Sequence, residues 1–184
     1  MRDLKRNADV ELNSSQLIYS GAVFDVRLES IRLPSGLPQE VAVVVHSGAV
    51  CVAAMREDGK LLLVRQYRHP LAAWTVEIPA GRLEQDEEPL TAAQRELEEE
   101  TGYRAREWEL ARRFHPAAGF CSEQLTLFVA RGLEEVPGGG LDADPDEELE
   151  NCWMSPQEIL ASENGDAKTL LAAMWLTLEG QTSR

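Results

Sequence analysis

Residues 81 to 103 read "GRLEQDEEPLTAAQRELEEETGY". This is a glycine-led acidic loop running into a short helix with an unusual crowd of carboxylates on one side. With Glu96 set at zero and ~100° of turn per residue, Glu100 falls near 40° and Glu99 near −60°, while Ala93, Leu97 and Leu90 fall at roughly 60° to 120°. The spacing therefore predicts an apolar face of Ala93, Leu97 and Leu90 with an acidic stripe beside it. Like charges at i, i+3 and i+4 disfavour a helix, more so near its carboxyl end, where the dipole already repels anions. A cation is expected there to offset them. The plain alternative is that Glu98, Glu99 and Glu100 form a solvated face, as in many Glu-rich helices.

The neighbouring residues separate the two. Gly81 is followed by five residues and Glu87, then seven residues and Arg95-Glu96-Leu97, one residue, Glu99-Glu100, one residue, and Gly102. This resembles the Nudix hydrolase signature over its whole length. Tyr103 departs from it, standing where the family usually has an aliphatic residue. The resemblance implies an α/β fold, a Nudix-type α/β/α sandwich with a mixed sheet. It also implies hydrolysis of a nucleoside diphosphate linked to another group. A pyrophosphate under attack by water gathers negative charge that divalent metals offset well, and hard cations such as Mg²⁺ or Mn²⁺ take oxygen ligands. By resemblance Glu96, Glu99 and Glu100 are the metal ligands, with the backbone carbonyl of Ala80 or Gly81 completing the site. Arg95 and Glu87 would bridge loop to helix. Gly81 and Gly102 fit tight backbone where a Cβ would clash.

Composition sets the outer bounds. The chain has 184 residues, 43% of them hydrophobic, and a formal net charge of −14. That suits one domain, or a domain of residues 47–184 with an N-terminal β extension of residues 1–46. The acidic balance argues against a general nucleic-acid or anionic-membrane partner, and the anionic nucleotide substrate that the resemblance implies would have to be drawn in by bound metal and local arginines. No apolar run reaches the length of a membrane span, and the polar start lacks the apolar middle of a secretion signal, so the cytoplasm is the expected location. Cys51, Cys121 and Cys152 match neither a disulfide framework nor a zinc site.

In chain order, residues 1–15 are polar and expected to be poorly ordered. "LIYSG", "AVFDVRLESIRL" and "EVAVVVH" read as a small antiparallel meander. In ADP-ribose pyrophosphatases such a piece is commonly exchanged between subunits, so a homodimer is expected by resemblance. Its strands could equally extend the subunit's own sheet. "AVCVAAMRED" and "GKLLLVRQYRHP" read as two strands around a tight turn at Glu57-Asp58-Gly59, and Pro79 ends regular pairing in "WTVEIPAGRL". "VEIPAG" and "VRQYRHP" resemble the branch that acts on ADP-ribose and other ADP-sugars. Arg65 and Arg68 should face opposite ways on their strand. Either could be a surface ion-pair partner; by resemblance Arg68 is the better candidate for the substrate cleft. Glu77 and Glu84 are candidates for ribose hydroxyls or the metal shell, and Trp74 for packing.

Beyond the helix, "EWELARRFHP" reads as a strand, "AAGFCSE" as a loop and "QLTLFVARGL" as the next strand. By resemblance the loop carries the general base, Glu123, with Gly119 and Phe120 lining the substrate and Ser122 in register; Glu99 is the competing base. The proline that marks ADP-ribose enzymes is replaced by Ala118, which loosens the choice of ADP-ribose over GDP-mannose, FAD or a dinucleoside polyphosphate. His46, His69 and His115 read as structural. Residues 133–150 read as a solvated acidic connector, with Asp146 or Glu147 as an outside candidate near a second metal. "LENCWMS" reads as a last strand, "SPQEIL" as a helix capped by Ser155 with Pro156 first, and "DAKTLLAAMWLTLEG" as a closing amphipathic helix.

Overall fold

The structure, a computed structural model, describes residues 8–137, 149–163 and 165–182. The chain divides into two compact units, Met1–Gly48 with Phe114–Leu125, and Ala49–Arg113 with Thr126–Arg184.

The first unit holds an antiparallel sheet of β1 (Glu11–Ser20), β2 (Phe24–Arg32) and β3 (Pro38–His46), in that order. Residues 11–15 are thus strand, which corrects the expectation of poor order up to residue 15. Cross-strand polar pairing accounts for them: Ser15 Oγ donates to Glu29 Oε1 at 2.8 Å and accepts from Arg27 Nη1 at 3.2 Å. Register shifts between Leu12 and Ser14 and between Leu17 and Tyr19 break the alternation that would have marked β1 in the sequence. Gly36, at φ +85°, makes the turn into β3. Segment 114–125 joins this sheet more closely than a free loop would. Val44 N–H donates to the Phe120 carbonyl at 2.8 Å, Ser122 N–H to the Val44 carbonyl at 2.9 Å, and Val44 and Cys121 form a parallel bridge.

The second unit contains β4 (Ala49–Ala54), β5 (Leu61–Arg68), a 3₁₀ turn at His69–Leu71, β6 (Ala73–Glu77), β7 (Ala80–Arg82), α1 (Pro89–Thr101), β8 (Tyr103–Phe114), β9 (Leu125–Glu135), β10 (Glu150–Met154), α2 (Pro156–Ala161) and α3 (Ala167–Thr182). One sheet runs β7-β4-β9-β8 and another β10-β5-β6. The expected turn joins β4 to β5, closed by Gly59 N–H to the Arg56 carbonyl at 2.9 Å. The two strands meet only at the Met55–Leu61 bridge and then enter different sheets. β4 is buried along its whole length, and both α1 and α3 contact it, as in an α/β/α sandwich. Val50, Val52 and Ala54 form a core with Ala92, Ala93 and Leu97 of α1 and with Phe128 and Ala130 of β9.

Leu90 does not join that core and is 41% exposed. The three residues of β7 span ~10 Å, whereas the thirteen of α1 span ~20 Å, so the first helical turn projects past the strand beneath it. Among the described residues no helix is long and apolar enough to cross a membrane.

Candidate functional site

The acidic stripe of α1 faces the backbone of β7. A Cβ built on Gly81 would lie 1.9 Å from the Glu96 carboxyl carbon, so the carboxylate occupies space that any other residue would fill. Glu100 Oε2 accepts the Ala80 N–H at 3.0 Å. Arg95 supplies the cation that the crowded stripe calls for. Its Nη1 donates to Glu96 Oε1 at 2.8 Å and Glu99 Oε2 at 2.9 Å, while Nε and Nη2 each bond Glu87 at 3.0 Å. Nη2 also reaches the Arg82 carbonyl at 3.1 Å, tying loop to helix. The Glu87 hydrogen bonds in particular hold the Arg95 guanidinium above its ordinary pKa, and the same bonds hold Glu87 below the usual carboxylate range. Burial pushes Glu96 the other way, above the ordinary carboxylate value, despite Arg95.

Gly102 ends α1 at φ +74°, donating its N–H to the Glu98 carbonyl at 2.8 Å. Glu98 is no solvated residue. It is buried against the sheet side, and its carboxylate meets Arg104 Nε and Nη2, both at 2.5 Å.

Ahead of the stripe, the Glu77 carboxylate, the Ile78 N–H, the Pro79 carbonyl and the Ala80 N–H are each engaged. Glu77, its side chain 4% exposed, accepts from Arg68 Nε at 2.9 Å and Nη2 at 2.8 Å, from Thr75 Oγ1 at 2.5 Å, and from the Lys168 ammonium. Burial alone would raise Glu77; the Arg68 bonds and the Lys168 charge overcome it and hold the carboxyl down at about 2. Ile78 N–H donates to Thr169 Oγ1 at 2.9 Å, and the Pro79 carbonyl accepts from Val52 N–H at 2.8 Å. Lys168 also donates to Asp166 Oδ1 at 3.0 Å, and Asp166 Oδ2 caps α3 by accepting Thr169 N–H at 2.9 Å. Burial disfavours the Lys168 charge, but Asp166 and Glu77 hold the ammonium above its ordinary value. Arg68 is the most exposed group of this network, at 40% side-chain exposure, and the charge of Glu100 contributes to its raised pKa after Glu77.

Arg65 lies on the other side of β5, bonded to Glu150 at 3.1 Å with its guanidinium 4.1 Å from the centre of the Trp74 ring. Trp74 is thus a partly exposed platform for that arginine, with Tyr67 edge-on at 5.8 Å. Glu84 is exposed; its backbone N–H donates to Glu87 Oε2 at 3.0 Å and its carbonyl accepts the Glu87 N–H at 3.3 Å.

In the first unit Glu123 is part-buried, with Oε1 3.8 Å from His46 Nδ1. That nitrogen also lies 3.0 Å from the Gly48 N–H, which points toward it. The Glu123 carbonyl meets His115 Nδ1 at 2.8 Å, and Ser122 Oγ accepts His46 N–H at 2.9 Å, so the loop's backbone is held on both sides of Glu123. Gly119 has open space where a Cβ would stand, and Phe120 is 60% exposed. Asp146 and Glu147 lie outside the described residues.

Thr75, Asp166, Lys168 and Thr169 carried no marker in the sequence. "DAKT" reads as the opening of an amphipathic helix, and nothing in a single lysine announces that it is buried. Among the described residues no group of three or more His, Cys, Asp or Glu side chains stands in the arrangement of a metal site. Arg95 instead gathers Glu87, Glu96 and Glu99 to itself.

The comparisons agree with this geometry. The NUDIX domain family model matches residues 45–174. The chain is 39% identical over 170 residues to "ADP-ribose pyrophosphatase" of Bacillus subtilis (strain 168), covering 90% of this chain and 91% of that one. It is 38% identical over 168 residues to "Methanol dehydrogenase activator" of Bacillus methanolicus, with the same coverage of 90% and 91%. A solved structure, "Crystal structure of ADP compounds hydrolase", superposes with a TM-score of 0.80 at 20% identity, covering 97% of this chain and 98% of that one, which speaks for the fold. With the family model spanning most of the chain and the loop–helix geometry in hand, the protein belongs to the Nudix family and is a Nudix pyrophosphohydrolase.

Proposed function

We propose that this enzyme hydrolyses ADP-ribose to AMP and ribose 5-phosphate with Mg²⁺ or Mn²⁺ as cofactor. The observation that carries the reading is the contact between Glu96 and Gly81: a part-buried carboxylate lies on backbone that only glycine leaves open, so the acidic stripe faces inward. The donor chemistry fits a hard divalent cation, since Glu96, Glu99, Glu100 and the Ala80 carbonyl all offer oxygen. When bound, the cation would offset the charge that gathers on the pyrophosphate during attack.

The chain's own residues do the rest. Arg95 and Glu87 hold the helix and loop in register, while Gly81 and Gly102 allow the close approach and the helix end. Arg68, oriented by Glu77, presents a guanidinium to phosphate or adenine. Glu84, Gly119 and Phe120 contribute to substrate contact. Glu123 takes the proton of the attacking water, with Glu99 as the competing base. The relative named for ADP-ribose supports the substrate. Ala118 and the relative named as an activator mark where another pyrophosphate could take its place. Residues 1–46 form an extension to the hydrolase domain of 47–184 and exchange between the subunits of a homodimer. The enzyme works in the cytoplasm, in keeping with three cysteines that form no disulfide.

A panel of ADP-ribose, GDP-mannose, FAD and dinucleoside polyphosphates in ¹⁸O-labelled water, with Mg²⁺ or Mn²⁺, reads out substrate and attacked phosphorus together. ADP-ribose is expected to turn over fastest, and Glu100→Gln to lose turnover with its circular dichroism unchanged. Full activity in that variant would falsify the role given to Glu100.

A further inference from the structure

Two acids and two bases meet at the junction of β5, β6 and the start of α3; Glu77 and Lys168 are buried, Asp166 is part-buried, and Arg68 is the most exposed of the four. Glu77 and Asp166 balance Arg68 and Lys168, so the cluster is neutral as a set. Lys168 bridges the two acids. Glu77 presents both carboxylate oxygens to the Nε/Nη2 edge of Arg68, the two-point geometry that fixes the plane of a guanidinium. The Nη1 side of Arg68 is left for another anion.

Removing the ammonium would leave the buried Glu77 and the part-buried Asp166 close together with Arg68 bonded to Glu77 alone. Such a site draws the guanidinium inward and favours protonating an acid, so the fork loosens. From this arrangement we infer that Lys168 is a positioning residue for substrate binding: by bridging Asp166 and Glu77 it keeps the Glu77 fork charged and Arg68 aimed outward to take the anionic part of the substrate. The inference rests on the proposed role of Arg68 and adds the three residues behind it, Glu77, Lys168 and Asp166. Lys168 makes no contact with the reacting phosphates in this account. Its loss weakens binding and leaves chemistry on the bound substrate.

The test has two arms. The first needs no substrate: in ¹⁵N-labelled protein the Arg68 Nε–H resonance is expected to be sharp and slow to exchange in the wild type and in Lys168→Arg, and to broaden or join the solvent-exposed arginines in Lys168→Met. The second is kinetic, on the best pyrophosphate from the panel. Lys168→Met is expected to raise KM roughly tenfold with kcat within about threefold, and to add nothing further in an Arg68→Ala background. Lys168→Arg restores KM. Should Lys168→Met not fold, Lys168→Gln, as long as methionine and likewise uncharged but with a polar end, serves the same comparison.

An unchanged Arg68 resonance in the neutral variant overturns the inference, as does a KM effect that is additive with Arg68→Ala, because a merely structural lysine would lower stability whatever stands at 68. Failure of the whole panel with wild-type enzyme counts against the substrate reading alone and leaves the resonance arm to decide this one.

Discussion

At the scale of single residues, close approach matters more than charge. Any side chain at Gly81 must push the Glu96 carboxylate aside, and that carboxylate is the end of a flexible chain that can swing away at little cost to the fold. Gly81→Ala is therefore expected to keep its melting temperature within a few degrees while losing about a hundredfold in turnover, since a shift of about 1 Å in a reacting array costs on that order. Calorimetry beside a turnover assay checks both halves, and a variant that unfolds early would show that Gly81 serves the backbone instead.

Glu77 supplies the pH dependence. Its carboxyl sits at about 2 in the fold against an ordinary 4.5, so its contribution is fully present above 4.5 and drains away as pH falls toward 2. Urea unfolding of wild type and Glu77→Gln should show a gap at pH 7 that narrows as the pH drops below 4.5. A constant gap from pH 7 to pH 3 would mean that its charge contributes nothing.

At the scale of elements, α1 and α2 end or begin on local signals. α2 is a full capping box: Ser155 Oγ accepts Glu158 N–H at 3.2 Å, and Glu158 Oε2 accepts Ser155 N–H at 2.7 Å. At the far end of α1, Gly102 holds φ +74°, a conformation that costs a residue with a Cβ roughly 1 kcal/mol. Gly102→Ala should lower stability by about that amount, measured by denaturant midpoint at constant slope, and a larger loss would point to the Val136 N–H that also bonds the Gly102 carbonyl at 2.8 Å. Both caps were readable from residue type alone, because they depend on neighbours within four positions. The start of β1 was not, since bulges break its alternation and its polar residues are satisfied only across the sheet.

For the molecule as a whole, the proposed homodimer has a simple check. Leu17, Ile18, Tyr19 and Phe24 stand exposed on the N-terminal sheet, an unusual run of apolar side chains for a surface that meets only water. Sedimentation at micromolar concentration should give twice the chain mass, and Tyr19→Glu should shift it toward monomer; a wild type that sediments as monomer disposes of the dimer.

What the chain determined by itself was whatever depends on short spacings: the loop and helix of residues 81–103, the family they mark, the strand-rich α/β fold, the turn at Glu57-Asp58-Gly59 and the two helix ends. Glycines, prolines, caps and 3.6-residue periods act within a few positions, so they survive in one dimension. Only the tertiary structure decided that β4 and β5 part into separate sheets, that Glu98 pairs with Arg104, that Leu90 stays in solvent, and that Lys168 reaches back 91 residues to Glu77. Those outcomes turn on which groups are desolvated together, and burial belongs to the packed chain rather than to any stretch of it.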